Sequence, residues 1–135
     1  MHFTTRQKVL FRHCDPAGIV FYPRYFEMLN DAVEAFFAEG LGWAFVDMHP
    51  DNAAPTVSLS AKFQAPSRHG DLLDFALEIT RLGDSSMTLR SVVRSSDEIR
   101  FTAEHTMVCV DGGLRPSAWP DRLRHQVQAL MEGTK

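Results

Sequence analysis

Between Tyr25 and Phe37 the apolar positions recur at helical spacing. Tyr25, Phe26, Met28, Leu29, Ala32, Val33, Phe36 and Phe37 form the apolar set, and Glu27, Asp31 and Glu34 form a polar stripe between them. Pro23 fits the first helical position, where its missing N–H costs nothing. Gly40 and Gly42 end the run. The pattern predicts a helix over 23–40. Its apolar arc is wide and carries four aromatic rings, so the helix is expected to be embedded rather than laid on a surface.

After Pro55 the period changes to two. Val57, Leu59, Ala61 and Phe63 alternate with Ser58, Ser60 and Lys62, which predicts a half-buried strand. Leu73, Phe75, Leu77 and Ile79 alternate with Asp74, Glu78 and Thr80 in the same way. Gly83-Asp84 predicts a hairpin turn, residues 86–95 a further strand, and Ser95-Ser96-Asp97-Glu98 another turn. Residues 99–110 predict a long last strand, stopped by Asp111-Gly112-Gly113. Residues 3–11 predict a first strand that runs into the turn-forming stretch Asp15-Pro16-Ala17-Gly18. Pro120 opens a short C-terminal helix with Leu123, Val127 and Leu130 on one side. Residues 43–54 are irregular or briefly helical.

The element order is therefore strand, long helix, then four strands expected as an antiparallel meander. Five strands with one apolar face need a cover, and one long helix is available. The expected architecture is α+β, with a curved antiparallel sheet wrapped around residues 23–40. No repeat or linker divides the chain, so residues 1–135 read as one domain.

Hydrophobic residues make up 44% and charged residues 23%, a balance that builds a core rather than a disordered chain. The net charge of -3 gives no general attraction to nucleic acid or to an anionic membrane, and neither is expected as a partner. No run reaches the roughly 18 apolar residues of a membrane helix. The first residues lack the apolar stretch of a signal peptide, so a cytoplasmic protein is expected. Cys14 and Cys109 stand far apart and outside any CxxC pattern, and two free thiols are expected. None of the six histidines is spaced as in HExxH or at i, i+4 to another, so no metal site is expected.

The chemistry-bearing stretch is His13-Cys14-Asp15-Pro16-Ala17-Gly18-Ile19-Val20-Phe21-Tyr22-Pro23-Arg24-Tyr25. It sets one carboxylate in a loop just ahead of a helix start. The first turn of a helix offers unpaired N–H groups and the positive end of its dipole. Such a place can hold a carbonyl oxygen as it becomes an oxyanion. An acid beside it can attack the carbonyl or activate a water. The same residues also make an ordinary turn, with an aspartate as a plain helix cap. From the residues alone both readings stand.

The run Asp15-Pro16-Ala17-Gly18-Ile19-Val20-Phe21-Tyr22-Pro23 closely resembles the signature of the 4-hydroxybenzoyl-CoA thioesterase family, which is similar to the broader YbgC-like thioesterases. A looser similarity takes in Pro55-Thr56-Val57-Ser58 and Phe63. The resemblance implies the hot-dog fold, a long helix inside a curved antiparallel sheet. It implies hydrolysis of an aromatic or short-chain acyl-CoA to a free acid and CoA, without a metal and with no cofactor beyond the coenzyme A of the substrate. It puts the catalytic carboxylate at Asp15 and the oxyanion donor at the backbone N–H of Tyr22. Gly18 would let substrate approach the backbone. Tyr25 and Phe26 would wall the acyl pocket as well as the core.

The phosphates of CoA call for basic side chains near the pocket mouth. Lys62, Arg68, Arg90 and Arg94 are the candidates, against a plain solvated role for each. The family's basic cluster falls here on Gly83-Asp84-Ser85, which is not basic, and Arg24 stands where the family has a small polar residue. His13 is expected on the loop surface or at the pocket entrance. His105 is expected as a hydrogen-bonded interior or interface histidine. A catalytic role for Cys14 lacks an orienting His-Asn pair. The resemblance also implies a homodimer or homotetramer joined edge to edge, with sites at the subunit boundary, and one helix leaves sheet edges that invite such pairing. Two other readings compete: a hot-dog hydratase or dehydratase, whose Asp/His pair is not found here, and a non-catalytic acyl-thioester binding module.

Overall fold

A computed structural model of the chain describes residues 2–132. Strand β1 (Phe3–Lys8) leads through a short 3-10 turn (Phe11–His13) into helix α1 (Tyr22–Ala35), whose last turn loosens to π geometry over Phe36–Gly40. A short helix α2 (Phe45–Met48) and strand β2 (Asn52–Ala53) follow. Then come the long strands β3 (Thr56–Phe63), β4 (Leu72–Leu82), β5 (Ser86–Ser95) and β6 (Glu98–Val108), strand β7 (Val110–Asp111) and helix α3 (Asp121–Glu132). The stretch 43–54 thus resolves into α2 and β2, and β2 pairs with β7 in a small second sheet.

The main sheet is antiparallel with the order β1-β4-β5-β6-β3. Only β4, β5 and β6 form the expected meander. β3 does not pair with β4; it crosses to the far edge and pairs with β6. The connection through residues 64–71 is too long for a tight hairpin and carries the chain across instead.

The inner face of the sheet reads straight from the alternation. Leu73, Phe75 and Leu77 of β4, Met87, Leu89 and Val93 of β5, and Phe101 and Met107 of β6 are all buried. They pack against Met28, Leu29, Ala32, Val33, Phe36 and Phe37 of α1. Each such buried Leu or Phe contributes roughly 1.5–3 kcal/mol of transfer free energy. α3 closes the core with Leu123 and Val127 beside Trp119, whose indole N–H donates to the Ser86 carbonyl at 3.0 Å. The one long helix is therefore sheathed by a curved sheet, as the period analysis anticipates.

β3 is the exception to its pattern. Its alternation predicts a half-buried strand, yet Leu59 is 43% and Phe63 48% exposed, and Val57, at a bulge, is 63% exposed. It lies at the sheet edge, where α1 meets Phe63 through Tyr22, Tyr25 and Phe26 but leaves much of the strand open. The apolar positions are in register with the inner face, but Val57, Leu59 and Phe63 are only partly covered in the single chain.

Candidate active site

The loop 13–21 closes on itself as a narrow antiparallel turn. Cys14 and Val20 are bridged, the Asp15 amide donates to the Ile19 carbonyl at 3.0 Å, and the Phe21 amide donates to the His13 carbonyl at 2.9 Å. Gly18 turns the tip at φ +82°, a conformation that side-chain-bearing residues rarely adopt, and open space surrounds its α-carbon. The Asp15 carboxylate is half-buried and takes the Ala17 amide on Oδ1 at 2.8 Å. That bond orients the carboxyl group and leaves Oδ2 available.

No side chain caps the head of α1. The Phe21 amide is spent on His13, the Arg24 amide donates to the Phe21 carbonyl at 2.8 Å, and Pro23 has no N–H. The Tyr22 amide is left, with no carbonyl partner among the described residues and with the positive end of the helix dipole behind it. Arg24 adds a cation at this end, but its guanidinium is 2.6 Å from the Glu27 carboxylate, which neutralises it locally and holds that carboxyl below its usual range.

Beside the helix head lies an open cleft of about 540 Å³ lined by Ile19, Val20, Tyr22, Tyr25, Phe63 and Pro66, with Gln64 and Ala65 at its rim. Its walls are aromatic. Phe63 stands 6.0 Å from Tyr22, 5.8 Å from Tyr25 and 6.1 Å from Phe26, ring centre to ring centre. Tyr25 is buried, and its hydroxyl donates to Ser67 Oγ at 2.8 Å; burial raises its phenol so that it remains a donor.

Ser67 connects this wall to a clamp that sequence patterning does not reveal. The Ser67 carbonyl accepts the Val20 amide at 2.8 Å and so pins the Asp15 loop. One Arg100 nitrogen, Nη1, in turn reaches Ser67 Oγ and the Pro66 carbonyl, both at 3.1 Å, and Asp71 Oδ2 at 2.7 Å. Arg100 Nε lies 2.8 Å from Glu98, an ion pair whose angle is too bent for a hydrogen bond. Pro66, Ser67 and Asp71 lie 29 to 34 residues from Arg100 in the chain, so no local motif signals them.

The sequence-predicted residues separate into groups. Tyr22 and Tyr25 line the cleft at the helix head, while Asp15 and Gly18 lie on the adjoining 13–21 loop and are not among its lining residues. Phe26 is one turn further along α1 and faces a neighbouring cavity. Arg68 is exposed beside the loop, its backbone bridged to Ile19. Lys62 and Arg90 lie with Glu104 in a shallow depression on the outer face of the sheet, away from the cleft in the single chain, and Arg94 is exposed on β5. His13 is not on the loop surface. It is buried, and its Nδ1 accepts the Leu10 amide at 2.9 Å. Both cysteines are free thiols, and burial raises that of Cys109. Among the described residues no group of three metal-ligating side chains comes together. No helix there is long and apolar enough to cross a membrane.

An acid-stability prediction follows. Burial, then the nearby Arg12 charge, lowers the pKa of His13, and burial alone lowers that of His105. The unfolded chain takes up those protons first, near the ordinary histidine pKa of about 6.5. Stability is therefore present above that pH and falls as the solution is acidified below it. Asp71, held below its usual range first by Arg100 and then by the Arg68 amide, adds a further loss below about pH 3.9. The urea midpoint is expected to be lower at pH 5.5 than at pH 7.5. His13→Asn, which keeps an acceptor for the Leu10 amide, is expected to flatten part of that slope; an unchanged slope would contradict the assignment.

A family model described as the thioesterase-like superfamily matches residues 9–127. The chain belongs to the thioesterase-like superfamily. As a member it is a thioester hydrolase of the hot-dog fold. It is 27% identical over 127 residues to a 1,4-dihydroxy-2-naphthoyl-CoA hydrolase of Synechococcus elongatus, covering 90% of this chain and 93% of that one. The crystal structure of a 1,4-dihydroxy-2-naphthoyl-CoA thioesterase from Synechocystis superposes with a TM-score of 0.87 at 21% identity, covering 97% and 98% of the two chains. That of the gentisyl-coenzyme A thioesterase BH1999 superposes with a TM-score of 0.85 at 24% identity, covering 93% and 99%. At these identities the two structures establish the fold alone. The superfamily membership agrees with the resemblance carried by the Asp15–Pro23 motif.

Proposed function

We propose that the protein hydrolyses an aromatic acyl-CoA to the free acid and CoA, with Asp15 as the catalytic carboxylate and the Tyr22 amide as the oxyanion donor. One observation carries this reading. A carboxylate sits in a loop pinned at three points that runs directly into an uncapped helix head, where Tyr22, whose amide has no carbonyl partner among the described residues, lines an aromatic cleft. The thioester carbonyl would be polarised by the Tyr22 amide and the helix dipole. Asp15, with Oδ2 free, would add to the carbonyl and form a mixed anhydride that water cleaves, or would deprotonate an attacking water. The CoA thiolate is a good enough leaving group that no strong acid is needed. The aromatic lining, and the aryl substrate in the name of the Synechococcus relative, favour an aromatic acyl group over a short chain.

A panel of acyl-CoA substrates read with a thiol reagent tests the reading. Release of free CoA is expected, fastest with aryl substrates. A change in enoyl absorbance without CoA release would point to a hydratase, and binding without turnover to a carrier module; either would overturn the proposal.

The exposed apolar edge of β3 supports a homodimer in which a second copy adds its own β3 and roofs the cleft. The other edge strand, β1, shows Thr4, Arg6 and Lys8 to solvent and is the poorer candidate. Light scattering is expected to give a multiple of the 15.2 kDa chain mass. The double variant Val57→Asp/Leu59→Asp is expected to fall to the monomer mass and lose activity. A wild-type protein monomeric at micromolar concentration would refute this edge.

A further inference from the structure

The 13–21 loop hangs from two posts. Its outgoing arm is tied through backbone groups: the Val20 amide donates to the Ser67 carbonyl at 2.8 Å, and Ile19 is bridged to Arg68. Its incoming arm, which carries Asp15, is tied to the turn before it. The His13 amide donates to the Leu10 carbonyl at 3.0 Å, and the Cys14 amide to the Phe11 carbonyl at 3.1 Å. Two side chains add to these. The His13 ring accepts the Leu10 amide on Nδ1 at 2.9 Å, and the Cys14 thiol, a weak donor, lies 3.8 Å from the Leu10 carbonyl. Leu10 is a firm post, because Val9 beside it exchanges backbone bonds with residues 70–71. The Val9 amide donates to the Asp71 carbonyl at 2.8 Å, and its carbonyl accepts the Gly70 amide at 2.9 Å.

His13 therefore joins three pieces. Its ring and amide hold Leu10, its carbonyl accepts the Phe21 amide at 2.9 Å, and Asp15 follows two residues later. The Phe21 bond closes the base of the loop and occupies the amide next to that of Tyr22. The residue is 4% exposed and is not a wall of the cleft, so any part it takes in the reaction runs through the loop. Its bond to Leu10 needs a lone pair on Nδ1, hence a neutral ring with its proton on Nε2. A second proton would go to Nδ1 and set two donors, the ring N–H and the Leu10 N–H, against each other. The charged groups facing the ring are Arg12 of its own turn and Arg24, Glu27 and Asp31 of α1. Burial, then Arg12 and more weakly Arg24, opposes the second proton, while Glu27 and Asp31 favour it. Burial is the largest of these influences, so the ring stays neutral to a lower pH than an ordinary histidine.

We propose that His13 is a positioning residue for the Asp15 carboxylate, holding the incoming arm of the loop through the acceptor nitrogen of its neutral ring. The inference rests on the acyl-CoA hydrolase reading with Asp15 as its carboxylate, and adds what keeps that carboxylate in place. While the ring is neutral the arm is fixed. When the ring takes its second proton the Leu10 bond opens, the carboxylate loses its fixed place and turnover falls. Activity is therefore present above the ring's folded-state pKa and falls as the pH drops through it, at a point below the ordinary value of about 6.5.

The test measures kcat and KM of the full chain and two variants on the fastest acyl-CoA of the panel, at pH 7.5 and pH 5.0, with circular dichroism giving the folded fraction at each pH. The ratio of kcat/KM at pH 7.5 to that at pH 5.0 is expected to be at least about 3-fold larger for the wild type than for His13→Asn, whose amide oxygen accepts the Leu10 N–H at both pH values. Comparing two proteins on one substrate cancels the titration of every group they share and of the substrate's phosphates. His13→Leu, which has no acceptor, is expected to lose about 10-fold in kcat at pH 7.5 with KM within about 3-fold, and His13→Asn to regain most of that loss. A role in stability alone would lower the folded fraction of His13→Leu and leave kcat per folded molecule unchanged. If His13→Leu does not fold, the pH comparison of the wild type with His13→Asn decides. Equal pH ratios in those two proteins, or a parental kcat per folded molecule in His13→Leu, would overturn the inference and leave the hydrolase reading standing. A wild type that releases CoA from no acyl-CoA would fail both.

Discussion

Asp15→Asn is expected to fold as the parent chain does and to hydrolyse acyl-CoA roughly 10³-fold more slowly. The substitution is nearly isosteric. The amide oxygen of asparagine can still accept the Ala17 N–H that Oδ1 now takes, so the loop keeps its shape. The stability change is expected to be within about 0.5 kcal/mol, as for a half-exposed position with its hydrogen bond retained. What is lost is the charge, because an amide neither attacks a carbonyl nor takes a proton from water. Tyr22→Phe is the matched control. The Tyr22 side chain is exposed and the proposed donor is its backbone N–H, so this variant is expected to stay within a few-fold of the parent. CoA release read with a thiol reagent, beside a circular-dichroism melt, checks both. Near-parental turnover by Asp15→Asn would remove Asp15 from the mechanism.

The second large effect is expected at Arg100, a residue that touches no proposed reacting atom. Arg100→Ala removes the group shared by Asp71, Ser67 Oγ and the Pro66 carbonyl, and leaves the partly exposed Asp71 carboxylate without its cation. Breaking a charge-assisted pair of this kind costs about 3 kcal/mol. With a urea m-value of roughly 2 kcal/mol/M the midpoint is expected to fall by about 1.5 M. The same loss frees the 65–71 segment, whose Ser67 carbonyl holds the Val20 amide, so kcat/KM is expected to fall about 10-fold even under conditions where the variant stays folded. Arg100→Lys is expected to lie between, because its ammonium keeps the charge for Asp71 but sits on a shorter side chain that does not reach the position from which Nη1 meets all three acceptors. A variant as stable as the parent would show that the clamp is ornamental.

Much of this molecule is written in short-range patterns. The 3.6-residue period over 25–37 marked the buried helix, and the alternation of Leu73, Phe75 and Leu77 marked the sheet face that receives it. The Asp15–Pro23 motif marked the candidate site because its turn, its Pro and its carboxylate act within one loop. What escaped is non-local. Alternation gives β3 an apolar face but not its place at the edge, since pairing with β6 rather than β4 depends on a crossover. His13 is the local exception: it is buried, with its Nδ1 accepting the Leu10 amide three residues back, a turn that periodicity does not signal. Arg100 lies within the last predicted strand with no local feature to mark it, and only the folded chain brings the Pro66–Asp71 segment to its guanidinium. Of the basic side chains proposed for the CoA phosphates, Lys62, Arg90 and Arg94 lie on the outer face of the sheet and Arg68 on the loop beside the cleft, because period two fixes which face a residue takes but not which face meets the ligand.

The central claim is that the Asp15 carboxylate and the Tyr22 amide converge on one thioester carbon. A crystal structure with a non-hydrolysable aryl-CoA analogue, in which a methylene separates the sulfur from the acyl carbonyl, tests this directly. The account predicts the carbonyl oxygen at about 3 Å from the Tyr22 nitrogen and an Asp15 oxygen close to the carbonyl carbon, within the roughly 3–3.5 Å of a near-attack geometry or one water away. An analogue bound with its carbonyl elsewhere, and the helix head left facing solvent in every subunit, would contradict it.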